Sequence, residues 1–457
     1  MNYPRIMIAA TNSGAGKTTV TLGIMLALRK KGLRIQPFKA GPDYLDPMQH
    51  NAVCRRISRN LDSWLMNPAV VKELFIRNAK GADISVIEGV MGLYDGVKGE
   101  DAGSTAHLSK ALRAPVILII NAASLSRSAA AIALGYKQFD RGVRIAAIIL
   151  NNIGSSRHYS YIKDIIENKT GIPVLGFLPK DAGIALASRH LGLVPAKEKK
   201  TDKRAYRRLT VLAEENIDVW RLIEIARQAP KLNSHLNSPP RMGQGKVRIA
   251  VARDEAFNFY YQDNLDILKR LGARLVEFSP LKDKLLPRGV SGVYIGGGYP
   301  ELYASGLSRN LSLKNEIYRQ SVSGLPIYAE CGGLMYLVKK LIDFKGKIFS
   351  MAGIFDCVTI MAKKRQALGY VEIKTEADNI LSRRGDAFRA HAFHWSYLRG
   401  ELKGARYAYK VTKNQEKAYY DGLVKDNVLA SYCHLHFASH IGLARNFIKS
   451  CMAYQEK

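Results

Sequence analysis

Cys331 follows an apolar run, 325–329, and precedes Gly332-Gly333 and a second apolar run, 334–338. A thiol between the end of a strand and the start of a helix sits on a sharp turn with its sulfur exposed. The glycines relieve crowding at that turn, and the N-terminus of the helix favours a thiolate. The local pattern alone fits a buried structural cysteine equally well, since free cysteine is among the most buried residue types. Two distant stretches separate the readings. Residues 292–295 form a strand-like run into Gly296-Gly297-Gly298-Tyr299-Pro300-Glu301, a loop whose backbone N–H groups can hold an oxyanion. Gly298 in that loop and Gly332 beside the thiol are the candidate donors. Ser431-Tyr432-Cys433-His434-Leu435-His436-Phe437 offers an imidazole to take the thiol proton. A cysteine paired with a histidine remote in sequence is the arrangement of a nucleophilic thiol enzyme.

A second chemistry lies near the N-terminus. Residues 6–10 predict a buried strand and 20–28 an apolar helix, with Thr11-Asn12-Ser13-Gly14-Ala15-Gly16-Lys17-Thr18-Thr19 between them. Strand, glycine-rich loop ending in Gly-Lys-Thr, and helix together make a phosphate-binding P-loop. Its N–H groups and the helix dipole hold phosphates. Ser13, Gly14, Ala15, Gly16, Lys17, Thr18 and Thr19 are the ATP-binding candidates. Lys17 would reach the β- and γ-phosphates, and the Thr18 hydroxyl would meet Mg²⁺. The loop starts with Thr11 where the full motif has glycine, a departure shared by ATPases that resemble dethiobiotin synthetase.

Carboxylates recur where such a site needs them. A strand over 33–39 leads into Gly41-Pro42-Asp43-Tyr44-Leu45-Asp46-Pro47, where two prolines bracket two acids. Ligands of open α/β sheets bind at the C-terminal ends of strands; solvated turn aspartates fit this segment as well. Glu88 ends the strand 84–87, ahead of Gly89-Val90-Met91-Gly92-Leu93-Tyr94-Asp95-Gly96.

The elements that must position these groups alternate. Strands over 115–120, 145–150 and 173–177 are interleaved with helices over 124–134 and 159–168. Alternating βα units predict a doubly wound parallel sheet. Residues 197–228 read as mainly helical, and 229–240 have the polar, proline-bearing composition of a linker. A second α/β pattern begins with a strand at 247–252, a helix at 264–271 and a strand at 274–278. The predicted organisation is 1–196, a P-loop synthetase domain; 197–245, a helical segment and linker; and 246–457, a second doubly wound domain.

The 457 residues suffice for such domains, and the five cysteines lack the spacing of a zinc site or disulfide framework. The N-terminus enters a strand with no signal-peptide pattern, and no apolar run is long enough to span a bilayer. These features predict a cytoplasmic protein with no membrane partner. The net charge of +30 favours anionic partners. No recognition motif accompanies it, so nucleic acid is not expected.

The second-domain stretches resemble class I glutamine amidotransferases, with Cys331 as nucleophile and His434 in the position of the activating histidine. Many members carry a glutamate two residues after that histidine; here His436 stands there, so a third triad member is not carried over. Over nearly its whole length the chain resembles the cobyrinic acid a,c-diamide synthase family. The marks are Gly14-Ala15-Gly16-Lys17-Thr18-Thr19, Phe38 to Pro47, Asn60-Leu61-Asp62-Ser63-Trp64, Glu88 to Gly96, Arg189 to Pro195 and the three amidotransferase stretches. Asn121 stands where an aspartate is expected, and Asn151-Asn152 replaces an asparagine followed by a basic residue.

The resemblance implies a ligase. Glutamine gives up ammonia at Cys331, ATP phosphorylates an acetate of a tetrapyrrole polycarboxylate, and ammonia displaces phosphate. It implies Thr18, Asp43 and Glu88 as Mg²⁺ ligands and Asp43, Tyr44, Asp46 and Asp95 as residues that place the acetate. A homodimer is compatible with it. Ni-sirohydrochlorin or hydrogenobyrinic acid are alternative acceptors. The alternative of another class is a P-loop regulatory ATPase with an inactive amidotransferase-like binding module, against which the intact Cys331 and His434 argue.

Overall fold

Long apolar strand runs bury both faces, and that requires helices on each side of a sheet. The computed structural model describes residues 2–184, 199–233, 247–413 and 417–456. The chain divides into two units, Met1–Asn237 and Ser238–Lys457.

In the first unit seven strands form one sheet. Their order is Arg59–Leu61, Ile35–Ala40, Ile84–Glu88, Arg5–Ala10, Val116–Asn121, Ile145–Ile153 and Val174–Pro179. Every neighbouring pair is parallel. The P-loop leaves the C-terminal end of the central strand Arg5–Ala10 and enters the helix Lys17–Lys30. Register places Lys39 and Ile8 on either side of Glu88. Three strand ends therefore converge on the loop.

The helical part of 197–245 appears as two helices, Lys199–Asn216 and Val219–Arg227. Their apolar faces join the core of the first unit, with Leu209, Ala213, Leu222 and Ala226 buried against residues of the P-loop helix and its strands. The Arg5 guanidinium, itself buried, donates to the carbonyls of Leu112 and Pro230 at 2.8 and 2.6 Å. The stretch thus belongs to the first unit as far as it is described. The 189–195 motif, the linker from 234 to 240 and residues 241–246 lie outside the described residues.

The second unit has a ten-stranded sheet. Its parallel half runs Ala273–Phe278, Val247–Ala252, Gly292–Ile295, Ile327–Glu330, Val428–Ser431. The sheet continues antiparallel through Tyr419–Lys425, Arg406–Thr412, Ala367–Thr375, Ala387–His394 and Cys433–His434. Only Tyr432 separates the fifth strand from the last. The antiparallel half must therefore curl until its final strand lies beside the parallel half. The α/β class read from the sequence holds in both units, and in the second the antiparallel half extends the doubly wound parallel sheet.

Candidate functional site

The P-loop turns on Gly14 and Gly16, at φ 83° and 96°, a conformation that favours glycine. A Cβ at Gly16 would fall 2.0 Å from the Asn151 side-chain nitrogen, and that nitrogen donates to the Ala15 carbonyl at 3.0 Å. Asn151 thus braces the loop, while its neighbour Asn152 donates to Asn121 at 3.0 Å. Ser13 and Gly14 face solvent, and Thr19 is half-buried on the first helical turn.

Lys17 is buried and donates to the Met91 carbonyl. Burial, and then the nearby Lys39, pull its ammonium down to about 8 against the opposing pull of Glu88, Asp46 and Asp95. The Thr18 hydroxyl donates to Glu88 Oε1 at 2.7 Å. Glu88, fully buried, also accepts from Lys39 at 3.1 Å and meets His50 Nε2 at 2.7 Å. Lys39 reaches Asp46 at 2.7 Å and the Gly89 carbonyl at 3.0 Å. Burial works to lower the Lys39 ammonium, but Glu88, Asp46 and Asp43 outweigh it and raise the group above its ordinary value. Lys39 is thus a fixed buried cation between two acids.

The two acids of the 41–47 loop have different surroundings. Asp43 Oδ1 accepts the N–H groups of Leu45 and Asp46 at 2.6 and 3.0 Å, which caps the helix Leu45–Cys54. Asp46 is buried against Lys39. Tyr44 is half-buried beside them, and Asp95 is exposed, its Oδ2 accepting the Gly92 N–H at 2.8 Å. Sequence reasoning missed Lys39 and His50 as members of this cluster. A lysine at the strand end that runs into the Gly-Pro-Asp loop was the available signal.

In the second unit Cys331 lies between the strand Ile327–Glu330 and the helix Gly332–Leu337, at φ 46° and ψ −98°. That left-handed φ is strained for a residue with a side chain, and such strain clusters at functional sites. The Cys331 N–H donates to the Ser431 carbonyl at 2.7 Å, which ties the turn to the strand leading to His434. A Cβ on Gly332 would fall 2.9 Å from the Gly298 nitrogen, and one on Gly297 would fall 2.8 Å from His434 Cε1. The thiol turn, the glycine loop and the imidazole therefore share one set of contacts.

The expectation of a thiolate poised by the helix N-terminus is corrected in one respect. Burial pushes the Cys331 thiol up, Glu301 adds to it, and the Gly332 N–H only partly opposes them. The thiol therefore needs a base. His434 is buried, and burial, with His391 and His394 nearby, lowers it to about 3, so it is neutral. Its Nδ1 lies 3.9 Å from Glu330 Oε2. His436 is buried too, its ring 4.9 Å from that of Tyr261 and its Nδ1 accepting the Ala438 N–H at 3.3 Å.

Residues 6–194 match the model of the CobQ/CobB/MinD/ParA nucleotide binding domain, and 248–441 that of the CobB/CobQ-like glutamine amidotransferase domain. The chain is similar to the cobyrinate a,c-diamide synthase of Caldanaerobacter subterraneus subsp. tengcongensis, 43% identical over 99% of each chain. It is 43% identical to that of Dehalococcoides mccartyi over 98% of each. To that of Listeria monocytogenes serotype 4b it is 44% identical, over 96% of this chain and 97% of the relative.

Proposed function

Because the chain belongs to the cobyrinate a,c-diamide synthase family, we propose that it amidates the a and c acetate side chains of cobyrinic acid, with glutamine as nitrogen donor and ATP as activator. The observation that carries this reading is the coexistence, in one chain, of a P-loop lysine beside a buried cation–carboxylate cluster and a cysteine on a strained turn against a glycine loop and a histidine.

In the second unit His434 takes the Cys331 proton, and the sulfur attacks the side-chain amide of glutamine. The N–H groups of Gly298 and Gly332 receive the oxyanion. His434 returns the proton to the departing nitrogen, which leaves as ammonia, and water then hydrolyses the thioester.

In the first unit the acetate must be activated, because a free carboxylate is anionic and has no good leaving group. ATP phosphorylates it, and ammonia displaces phosphate from the acyl phosphate. The P-loop N–H groups and Lys17 offset charge on the transferring phosphoryl. Lys39, held between Asp46 and Glu88, keeps those two acids paired beside the incoming acetate. Tyr44 and Asp95 line its approach. Thr18 and Glu88, whose oxygens lie 2.7 Å apart, are a hard donor pair that would hold Mg²⁺. When bound it would supply charge neutralisation at the β- and γ-phosphates. Asp43 is a weaker ligand candidate because its Oδ1 already accepts two backbone N–H groups.

The test is turnover of purified protein with ATP and glutamine on cobyrinic acid and, separately, on Ni-sirohydrochlorin, read by mass spectrometry. The reading expects a two-step mass decrease to the diamide with cobyrinic acid. Glutamine hydrolysis with no product from cobyrinic acid would overturn the choice of acceptor.

A further inference from the structure

We propose that Glu330 is the third member of the glutamine-hydrolysing group, a positioning residue that fixes the His434 tautomer and balances the imidazolium formed when the Cys331 proton moves. The inference rests on the reading of Cys331 and His434 given above.

The histidine must become a cation in a buried site, and an unpaired buried charge is costly. His434 and Glu330 are 2% and 1% exposed, and their nearest nitrogen and oxygen are 3.9 Å apart, so a small approach completes an ion pair. Glu330 is itself fixed. Its Oε1 accepts the Tyr328 hydroxyl at 2.5 Å and the Leu435 N–H at 3.0 Å. Its Oε2 accepts the Tyr294 hydroxyl at 3.0 Å. Leu435 adjoins His434, so the carboxylate also sets the position of the histidine backbone. A carboxylate facing Nδ1 favours the proton on that nitrogen, which leaves the Nε2 lone pair to accept from a thiol.

His436 does not fill this place. It carries no acid, and its Nδ1 is engaged by its own turn through the Ala438 N–H. The other groups whose charges bear on Glu330 are the phenols of Tyr260, Tyr294, Tyr328 and Tyr409 and the thiol of Cys331; burial raises each of them, so all are neutral near pH 7. Burial raises Glu330 to about 7, partly opposed by the hydrogen bonds from Tyr328, Leu435 and Tyr294. Its charge is present above that pH and lost below it. His391 and His394 are lowered by burial, as is His434, so they are neutral there as well.

The test uses the full chain with Glu330→Gln and Glu330→Asp, each checked for folding by its thermal transition, and follows glutamine hydrolysis against pH. Wild type is expected to lose kcat as pH falls through about 7. Glu330→Gln is expected to lower kcat by about 10²–10³-fold with little change in the glutamine KM, and to abolish that acid limb. Glu330→Asp should recover part of kcat and the limb. Wild-type kcat in Glu330→Gln, or a limb that survives the substitution, overturns the proposal. If Glu330→Gln does not fold, the pH dependence of Cys331 alkylation in wild type decides. A change of slope near pH 7 supports the assignment, and a constant slope from pH 6 to 8 overturns it. Cys331→Ala in the same assay separates the two layers, since continued glutamine hydrolysis there would overturn the nucleophile itself.

Discussion

His434 and His436 are both buried rings on neighbouring backbone, yet only His434 touches the glycine loop and faces a carboxylate. A base contributes about 10²–10⁴-fold to such a step. His434→Ala should therefore lower glutamine-dependent kcat by about that range, while His436→Ala, which removes a ring packed on Tyr261, should act mainly on the melting temperature. Steady-state kinetics and thermal melts of both variants check this; equal catalytic losses would remove the assignment. Lys17 is a second case where one side chain bears the argument. Its ammonium titrates at about 8 in the free protein, first because it is buried. The charge is present below that pH and lost above it, so nucleotide affinity should weaken as pH rises through about 8, as titration calorimetry can follow. Lys17→Ala should abolish synthesis with glutamine and with ammonium alike, since neither donor bypasses the acyl phosphate. Near-normal ammonium-dependent synthesis in the folded variant would refute the P-loop role.

At the scale of elements, the loop from Gly41 to Pro47 shows how far the sequence could be read. Its place at a strand end and its acidic content were legible, because a strand followed by Gly-Pro-Asp can only turn there. The division of labour between its acids was not, because it depends on Lys39, whose burial is set by pairing across to Glu88 in the register of two separate strands. His50 was hidden for the same reason, one turn into a helix whose facing strand end no local pattern names. In the second unit the strands 247–252 and 292–295 are legible from short runs that are apolar but for Arg248. The antiparallel strands escaped. So did Phe355–Met361, in a separate four-stranded sheet where it pairs parallel with one neighbour and antiparallel with another: it alternates buried and half-buried residues, but buried Thr359 between half-buried Val358 and Ile360 blurs the period. The outcome at Asp46 follows from the pairing that was missed. Asp46→Asn removes the acid 2.7 Å from a buried ammonium and leaves Lys39 with Glu88 alone. Ammonium-dependent kcat should fall at least about 10-fold, since losing one charge-assisted contact of a buried ammonium costs about 1.5–3 kcal/mol, while nucleotide affinity changes less. Asp43→Asn keeps a capping oxygen and should cost little. Steady-state kinetics of both variants with ammonium as donor decides, and a silent Asp46→Asn would return the acid to the status of a turn residue.

The whole molecule carries 69 lysines and arginines against 39 acids, a net +30 that no single site explains. Near the P-loop Lys39 is paired with Asp46 and Glu88 and adds nothing to that excess. Such an excess cannot define a binding geometry, but it raises the encounter rate of a polyanion by about 10–10³-fold at low salt. The proposed macrocycle is a polycarboxylate, and glutamine is a zwitterion with no net charge. The two substrates should therefore respond differently to ionic strength. The screening length falls from about 10 Å at 0.1 M salt to about 3 Å at 1 M, which removes long-range attraction and leaves contacts within the buried cluster largely intact. With ATP saturating, kcat/KM for the macrocycle should fall about 10-fold or more over that range, through KM rather than kcat. The kcat/KM for glutamine, measured with the macrocycle saturating, should stay within about twofold, because screening acts on net charge. A parallel fall for both substrates would mean that salt acts on the protein rather than on the approach of the polyanion. An unchanged macrocycle value would mean that the basic surface serves some other partner.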